Sequence, residues 1–178
     1  MDEQVEEAKL ALAEALKEVK AGKSNNALAL CRKAERLASY DIEILFLLGM
    51  VHYEIGDFIT VWDTNDTLAA GKYFDEVIAR DPGCVKAHFY RGMGTLRWGN
   101  NYDLALKSFL KALELEPDNG AAAQCVEICQ KCKEKKMDEA QQIMSEVLAS
   151  IGADYSINLR ENQAVAAMLT AAMYDDDW

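Results

Sequence analysis

The fold follows from one stretch, Lys86–Asn119, which reads KAHFYRGMGTLRWGNNYDLALKSFLKALELEPDN. Apolar side chains recur three to four residues apart in each half of it, which predicts two amphipathic helices. The glycine and two asparagines at 99–101, between the halves, tolerate positive φ angles and predict a tight turn. The second helix is predicted to end at Glu116, because the residue before a proline disfavours the helical conformation. The stretch is therefore a predicted helical hairpin.

The pattern of this hairpin recurs along the chain at an interval of 35 residues. Side chains of the same character hold that interval in four sets: Ala70, Ala105 and Ala140; Phe74, Phe109 and Met144; Val77, Ala112 and Val147; Pro82 and Pro117. A small residue followed four positions later by a large one is typical of a helix that packs closely on a partner, because the small side chain lets the backbones approach. Gly22 is predicted to form the turn of an earlier hairpin.

The spacing and character of Ala105, Phe109, Ala112 and Pro117 resemble a tetratricopeptide repeat, a helix–turn–helix unit of about 34 residues. The resemblance implies an all-α fold, a right-handed α-solenoid of antiparallel helix pairs that forms a tetratricopeptide-like superhelix. Residues 1–157 are predicted to hold about four such repeats. Their approximate bounds are 8–41, 42–82, 86–119 and 121–152.

Three segments depart from the repeat pattern. The second repeat has an excess of about nine residues, assigned to 59–67, which is either a longer loop or an extension of the flanking helices. An apolar stripe over 158–174 predicts a last helix, which either caps the solenoid or fills its groove. An acidic tail, 175–178, follows it.

The composition narrows the classes of partner. The formal net charge of −11 argues against nucleic acids and anionic membranes, which need basic surfaces. No apolar run is long enough for a transmembrane helix, so no membrane insertion is expected. The polar start, MDEQVEEAK, predicts neither a secretory signal nor a transit peptide. Because the five cysteines are odd in number and lie mostly in predicted helices, we expect a reducing compartment, the cytoplasm.

The strongest candidates for a metal site are three cysteines, Cys125, Cys129 and Cys132. Their spacing resembles the iron–sulfur motif of radical SAM enzymes, where the cysteines sit in a loop after a strand. Here they fall on one face of a predicted helix, and cysteine packs as a small hydrophobic residue. A zinc site needs a fourth ligand, but His52 and His88 lie on other repeats. We interpret the cysteines as core residues, and a metal or iron–sulfur protein is the remote alternative.

No enzyme activity and no cofactor are expected. Neither histidine has a nucleophile or a carboxylate at a telling spacing, and no glycine-rich phosphate loop follows a predicted strand. The resemblance instead implies binding, because the first helix of each tetratricopeptide repeat lines a concave groove that contacts a partner. Carried over to this chain, the groove positions are Leu12, Leu16, Phe46, Met50, Tyr53, Tyr90, Arg97, Trp98 and Lys133. The equal alternative is that neighbouring helices bury these side chains.

The carboxylate clamp of the family's co-chaperones, which grips heat-shock chaperones, is not expected. Leu12, Leu16 and Leu47 stand where the clamp has lysine and asparagine. Only Lys86 and Arg91 lie near its last pair, one residue out of register. An apolar groove cannot replace the water around an anion, so an apolar or helical peptide is the expected ligand.

Trp178 ends the sequence after three aspartates. One interpretation is a solvated acidic end, which is the commoner role of charge runs. The other is a short binding motif, similar to the acidic tryptophan tails that bind the actin-nucleating complex and to the tryptophan-acidic peptides that motor light chains bind. The sequence therefore predicts a scaffold, adaptor or assembly co-factor, chaperone-like and a subunit of a larger complex. The alternative is an autoinhibited adaptor in which the last helix or the acidic tail is itself the binding element.

Overall fold

The computed structural model describes residues 2–56, 65–98, 101–134, 142–147 and 149–150. Seven helices lie in this part of the chain: α1 (Asp2–Lys20), α2 (Ser24–Ala38), α3 (Ile42–Gly56), α4 (Asn65–Arg80), α5 (Val85–Trp98), α6 (Tyr102–Leu115) and α7 (Gly120–Lys133). Residues 142–147 and 149–150 are also helical, and no strand occurs within these ranges. The chain divides into two compact units, Met1–Ala87 and His88–Trp178.

The predicted hairpin is present as α5 and α6, and of its predicted turn only Asn101 lies within the described residues. Asn101 has a φ of −101°, so it does not use the left-handed region. Its side chain instead caps α6, because Asn101 Oδ1 accepts a hydrogen bond from the Leu104 N–H at 3.0 Å. Glu116 takes the C-cap position before the proline, as predicted. A positive φ of 74° does occur at Gly22, in the turn between α1 and α2.

The predicted insertion is only partly within the described residues. Its last three residues, 65–67, belong to α4, so this end of the segment extends a helix. The other residues of 59–67 lie outside the described part of the chain, as do the predicted helix over 158–174 and the acidic tail.

In the first unit, α1 packs against both α2 and α3, and α3 packs against α4. The largest core cluster there is built from buried side chains of three helices: Ala8, Ala11, Leu12, Ala15, Val19, Ala27, Cys31, Ala34, Ala38, Ile44, Leu48, Val51 and Ile55. Ten of the fifteen residues of α3 are buried. A helix that is apolar on most of its circumference is buried by neighbours on several sides, and α3 therefore forms the centre of this unit.

Close helix pairing recurs in both units through a glycine opposite a phenylalanine. A Cβ atom added at Gly49 in α3 would lie 2.8 Å from Phe74 Cε1 in α4. The same addition at Gly92 in α5 would lie 2.7 Å from Phe109 Cε1 in α6. The close approach expected from the sequence is present, but the residue that permits it is a glycine of the first helix rather than only an alanine of the second. This contact is the repeated packing unit of the fold.

In the second unit, α6 packs against α7. Asn119 caps α7 in the same way that Asn101 caps α6, by accepting from the Ala122 N–H at 2.9 Å. The two helices are also joined at the surface by an ion pair between Lys133 Nζ and Asp103 Oδ1 at 2.5 Å. Polar caps and the ion pair therefore fix how α6 and α7 begin and meet.

Candidate partner-binding surface

In the first unit, the first helices of two successive repeats, α1 and α3, neighbour each other. An ion pair of 2.7 Å joins Lys9 Nζ of α1 to Glu43 Oε2 of α3. On the second helices, the hydroxyl of Tyr73 in α4 donates to Glu35 Oε1 in α2 at 3.0 Å. α1 and α3 therefore share one surface of this unit, and α2 and α4 share another.

The predicted groove residues of α1 differ in how much surface they offer. Leu12 is only 1% exposed and packs within the core cluster. Leu16 is half-buried and packs against the edge of the same cluster, as does Leu47 of α3. Leu16 and Leu47 are thus half-buried leucines of two neighbouring helices, and we call these two residues with the Lys9–Glu43 ion pair the α1–α3 strip.

The predicted groove residues of α3 are mostly covered. Met50 is 5% exposed and Tyr53 is 2% exposed. Phe46 is half-buried, and its ring lies 5.8 Å from the ring of Phe74, centroid to centroid, at a tilt of 57°. Among the three, only Phe46 therefore has appreciable surface available for contact with a partner.

The predicted residues of the second unit lie on α5 and α7. Tyr90 is 4% exposed and makes an edge-on contact with Phe89 at 5.4 Å between ring centroids. Lys133 is exposed at the end of α7, where it pairs with an aspartate of α6. The backbones of Arg97 and Trp98 belong to α5, but their side chains lie outside the described residues, and so does Trp178.

Sequence reasoning missed the polar end of the α1–α3 strip. Lys9 and Glu43 are 34 residues apart, one repeat length, so they occupy equivalent places in two successive first helices. The ion pair could have been predicted from a lysine and a glutamate at that interval, because equivalent positions of adjacent repeats lie side by side. Both carboxylates around Lys9, those of Glu6 and Glu43, raise the pKa of its ammonium, with the Glu43 hydrogen bond as the largest cause.

The two residues nearest to the family's clamp positions, Lys86 and Arg91, differ in their surroundings. Arg91 Nη1 donates to Thr95 Oγ1 at 2.6 Å, and the Thr95 hydroxyl donates in turn to the Arg91 carbonyl at 2.9 Å. Thr95 is buried, so the guanidinium is tied to its own helix. Lys86 is exposed.

The cysteines of α7 lie on its buried face, which confirms the interpretation of their spacing as core packing. Cys125 Sγ lies 3.7 Å from Met93 Sδ of α5. Burial raises the pKa of Cys125 well above its ordinary value, and a smaller contribution comes from Cys129. Burial is also the main cause that raises the pKa of Cys129 to about 12 and that of Cys132 to about 11. Protonated thiols are poor nucleophiles.

The described residues contain neither a cluster of metal ligands nor a helix suited to crossing a membrane. No three His, Cys, Asp or Glu side chains among them come together as a set of metal ligands. None of the described helices combines the length and the apolar character that crossing a membrane requires.

Comparison with known proteins identifies the type of fold. The crystal structure of MamA superposes with a TM-score of 0.57 at 19% identity, covering 84% of this chain and 81% of that one. A structure of MamA from residue 41 to its end, from Desulfovibrio magneticus RS-1, gives a TM-score of 0.56 at 17% identity, with 94% and 93% covered. These likenesses confirm the predicted all-α fold of the tetratricopeptide type.

A sequence relative agrees with this assignment over part of the chain. FK506-binding protein 59 of Drosophila melanogaster is 44% identical over 77 residues, which are 43% of this chain and 17% of that protein. The likeness therefore concerns less than a fifth of the relative. No family model matches the sequence.

Proposed function

We propose that this chain is a non-enzymatic scaffold, adaptor or assembly co-factor that binds an apolar or helical peptide of a partner protein through the first helices of its repeats. The helical-repeat fold supports this function, because such folds present successive helices as an extended binding surface. The α1–α3 strip is the best-described part of that surface. Phe46 on α3, Tyr90 on α5 and Lys133 on α7 are further proposed contacts.

The observation that carries the proposal is the contact between α1 and α3. Leu16 and Leu47 are half-buried side chains packed against the core of these two helices, and the ion pair between the half-buried Lys9 and the exposed Glu43 joins the same helices. Protein interfaces combine an apolar centre with a polar rim, and the strip has both on a small scale. An amphipathic helix of the partner would set its apolar side on the leucines and its polar side against the ion pair.

The chemistry of the described side chains supports a binding role rather than catalysis. Cys129 and Cys132 of α7 are buried thiols whose pKa burial raises to about 12 and about 11, so they stay protonated near neutral pH and are poor nucleophiles. All five cysteines are free thiols, which fits a reducing compartment, and we place the protein in the cytoplasm as a chaperone-like subunit of a larger complex.

The test replaces Leu16 with lysine and uses Leu10→Lys as a matched control. Both leucines lie on α1, but Leu10 is 71% exposed and outside the strip. The lysine stem can extend to solvent, so helicity measured by circular dichroism should persist in both variants. We expect Leu16→Lys to lose the proteins that the wild-type chain captures from its native lysate, identified by mass spectrometry. Leu10→Lys should keep them, and equal capture by the two variants would show that the strip is not the binding surface.

A further inference from the structure

A second surface of the first unit has the features of a contact site for an anionic partner. Asn25, Ala29, Arg32 and Arg36 are all exposed, and their spacing of four, three and four residues puts them on one face of α2. We call these four residues the α2 stripe. It lies on the side of the helix opposite to its buried alanines and cysteine.

The two arginines of the stripe have no partner within the described structure. Of the arginines whose side chains are described, Arg80 binds Glu76 and the Tyr40 carbonyl, and Arg91 binds Thr95. Arg32 and Arg36 make no hydrogen bond and no ion pair to any described residue. Two guanidinium groups one helical turn apart are therefore left to solvent.

Two carboxylates beside the stripe bind other groups. Glu7 pairs at 2.8 Å with Lys33, the neighbour of Arg32, and Glu35, the neighbour of Arg36, accepts from the Tyr73 hydroxyl at 3.0 Å. The whole chain has a net charge of −11, so acidic side chains are plentiful, yet none in the described part of the chain pairs with Arg32 or Arg36. Arg36 lies in the last turn of α2, where a cation favours the helix, but like charges four residues apart disfavour it, so helix stability does not account for Arg32.

We propose that the α2 stripe is a second docking site, which binds an acidic segment of a partner protein. Each guanidinium offers a planar fork that binds a carboxylate through two hydrogen bonds. The small Ala29 and the neutral Asn25 continue the face without a carboxylate that would repel an acidic chain. Charge complementarity at an exposed site gives weak, rapidly exchanging and salt-sensitive binding. Such a contact orients a partner and accelerates its encounter.

This site is independent of the α1–α3 strip, because it lies on a second helix of the repeats. The probe is a fluorescein-labelled peptide of alternating aspartate and glutamate, titrated with the full chain at low salt and followed by anisotropy. The test variant is R32Q/R36Q. Its control is K107E, which alters an exposed lysine of α6 that also has no partner in the described structure. Both changes lower the net charge by the same two units, from −11 to −13.

We expect R32Q/R36Q to weaken peptide binding about fivefold, the loss that two exposed ion pairs produce, while K107E leaves it within the error of the titration. R32K/R36K should show intermediate binding, because lysine keeps the charge and loses the fork. Equal weakening by K107E would mean that only net charge matters, and undetectable binding by the wild type would mean that the stripe is no site; either result overturns the proposal. Self-association of the wild-type chain that R32Q/R36Q abolishes, seen by sedimentation velocity, would assign the stripe to a second copy and overturn the partner proposed here.

Discussion

Single glycines determine how closely the helices of each pair approach. Gly92 faces the ring of Phe109, which is 0% exposed and has no room to move away from an added methyl group. Gly94 lies in the same helix with no neighbouring atom within 4 Å of an added Cβ. The two positions therefore separate the steric effect of a methyl group from its effect on helix propensity.

We predict that Gly92→Ala lowers the free energy of unfolding by about 1–3 kcal/mol, because it overpacks the contact with Phe109. Gly94→Ala should leave stability unchanged or raise it by up to about 1 kcal/mol, since alanine favours the helix more than glycine does. Urea denaturation followed by circular dichroism measures both. A Gly92→Ala variant as stable as Gly94→Ala would contradict the observed approach of the ring.

The buried thiols of α7 make stability depend on alkaline pH. Burial raises the pKa of Cys129 to about 12 and that of Cys132 to about 11, from an unfolded value of 9.0. The folded chain thus holds these protons more tightly than the unfolded chain. The corresponding stabilisation is complete below pH 9 and is lost as the pH rises from 9 through the folded values.

We therefore predict a lower free energy of unfolding at about pH 10.5 than at about pH 8, measured by urea denaturation under reducing conditions. The double variant C129A/C132A should show a smaller decrease over the same range, because it lacks the two thiols. An identical decrease in the variant would assign the effect to other groups, such as the half-buried Tyr73, whose pKa burial also raises.

At the scale of the element, asparagine side chains cap the starts of α6 and α7. The Oδ1 atoms of Asn101 and Asn119 each accept a hydrogen bond from a backbone N–H of the first turn that follows. These N–H groups have no partner within the helix, so the side chain satisfies a donor that would otherwise depend on water. α2 begins without such a side-chain cap, at Lys23.

We predict that Asn101→Ala and Asn119→Ala each destabilise the protein by about 1 kcal/mol, and that Asn101→Asp retains stability because aspartate keeps the acceptor. Thermal unfolding followed by circular dichroism compares the three variants. If Asn101→Asp lost as much as Asn101→Ala, the cap would not be the source of the effect.

At the scale of the whole molecule, one prediction concerns the segment that follows Ile157. Its apolar stripe over 158–174 is predicted to cap the repeats or to occupy the binding groove. If the segment occupies the groove, a chain that ends at Ile157 should capture partners that the full chain does not, measured by mass spectrometry of proteins retained from lysate. Aggregation of the shortened chain, seen by light scattering, would instead identify the segment as a cap.

The amino-acid sequence alone determines the periodic packing of the helices. The 35-residue interval, the helix pairs and the buried cysteine face of α7 all follow from the spacing of apolar side chains, because one face of every helix must leave water. These features depend on residues that are close in the sequence or that recur at a fixed interval, so they can be predicted from the sequence alone.

The amount of surface left on each residue was decided by tertiary packing. Leu12 and Leu16 share one predicted role and one helix, yet the first lies within the core and the second lies half-exposed at its edge. Helical periodicity gives the direction of a side chain but not the neighbours that cover it. The same is true of Arg32 and Arg36, since only the folded structure shows that the surrounding carboxylates bind other groups. Burial and pairing depend on contacts between residues distant in sequence, and those contacts exist only once the helices have packed.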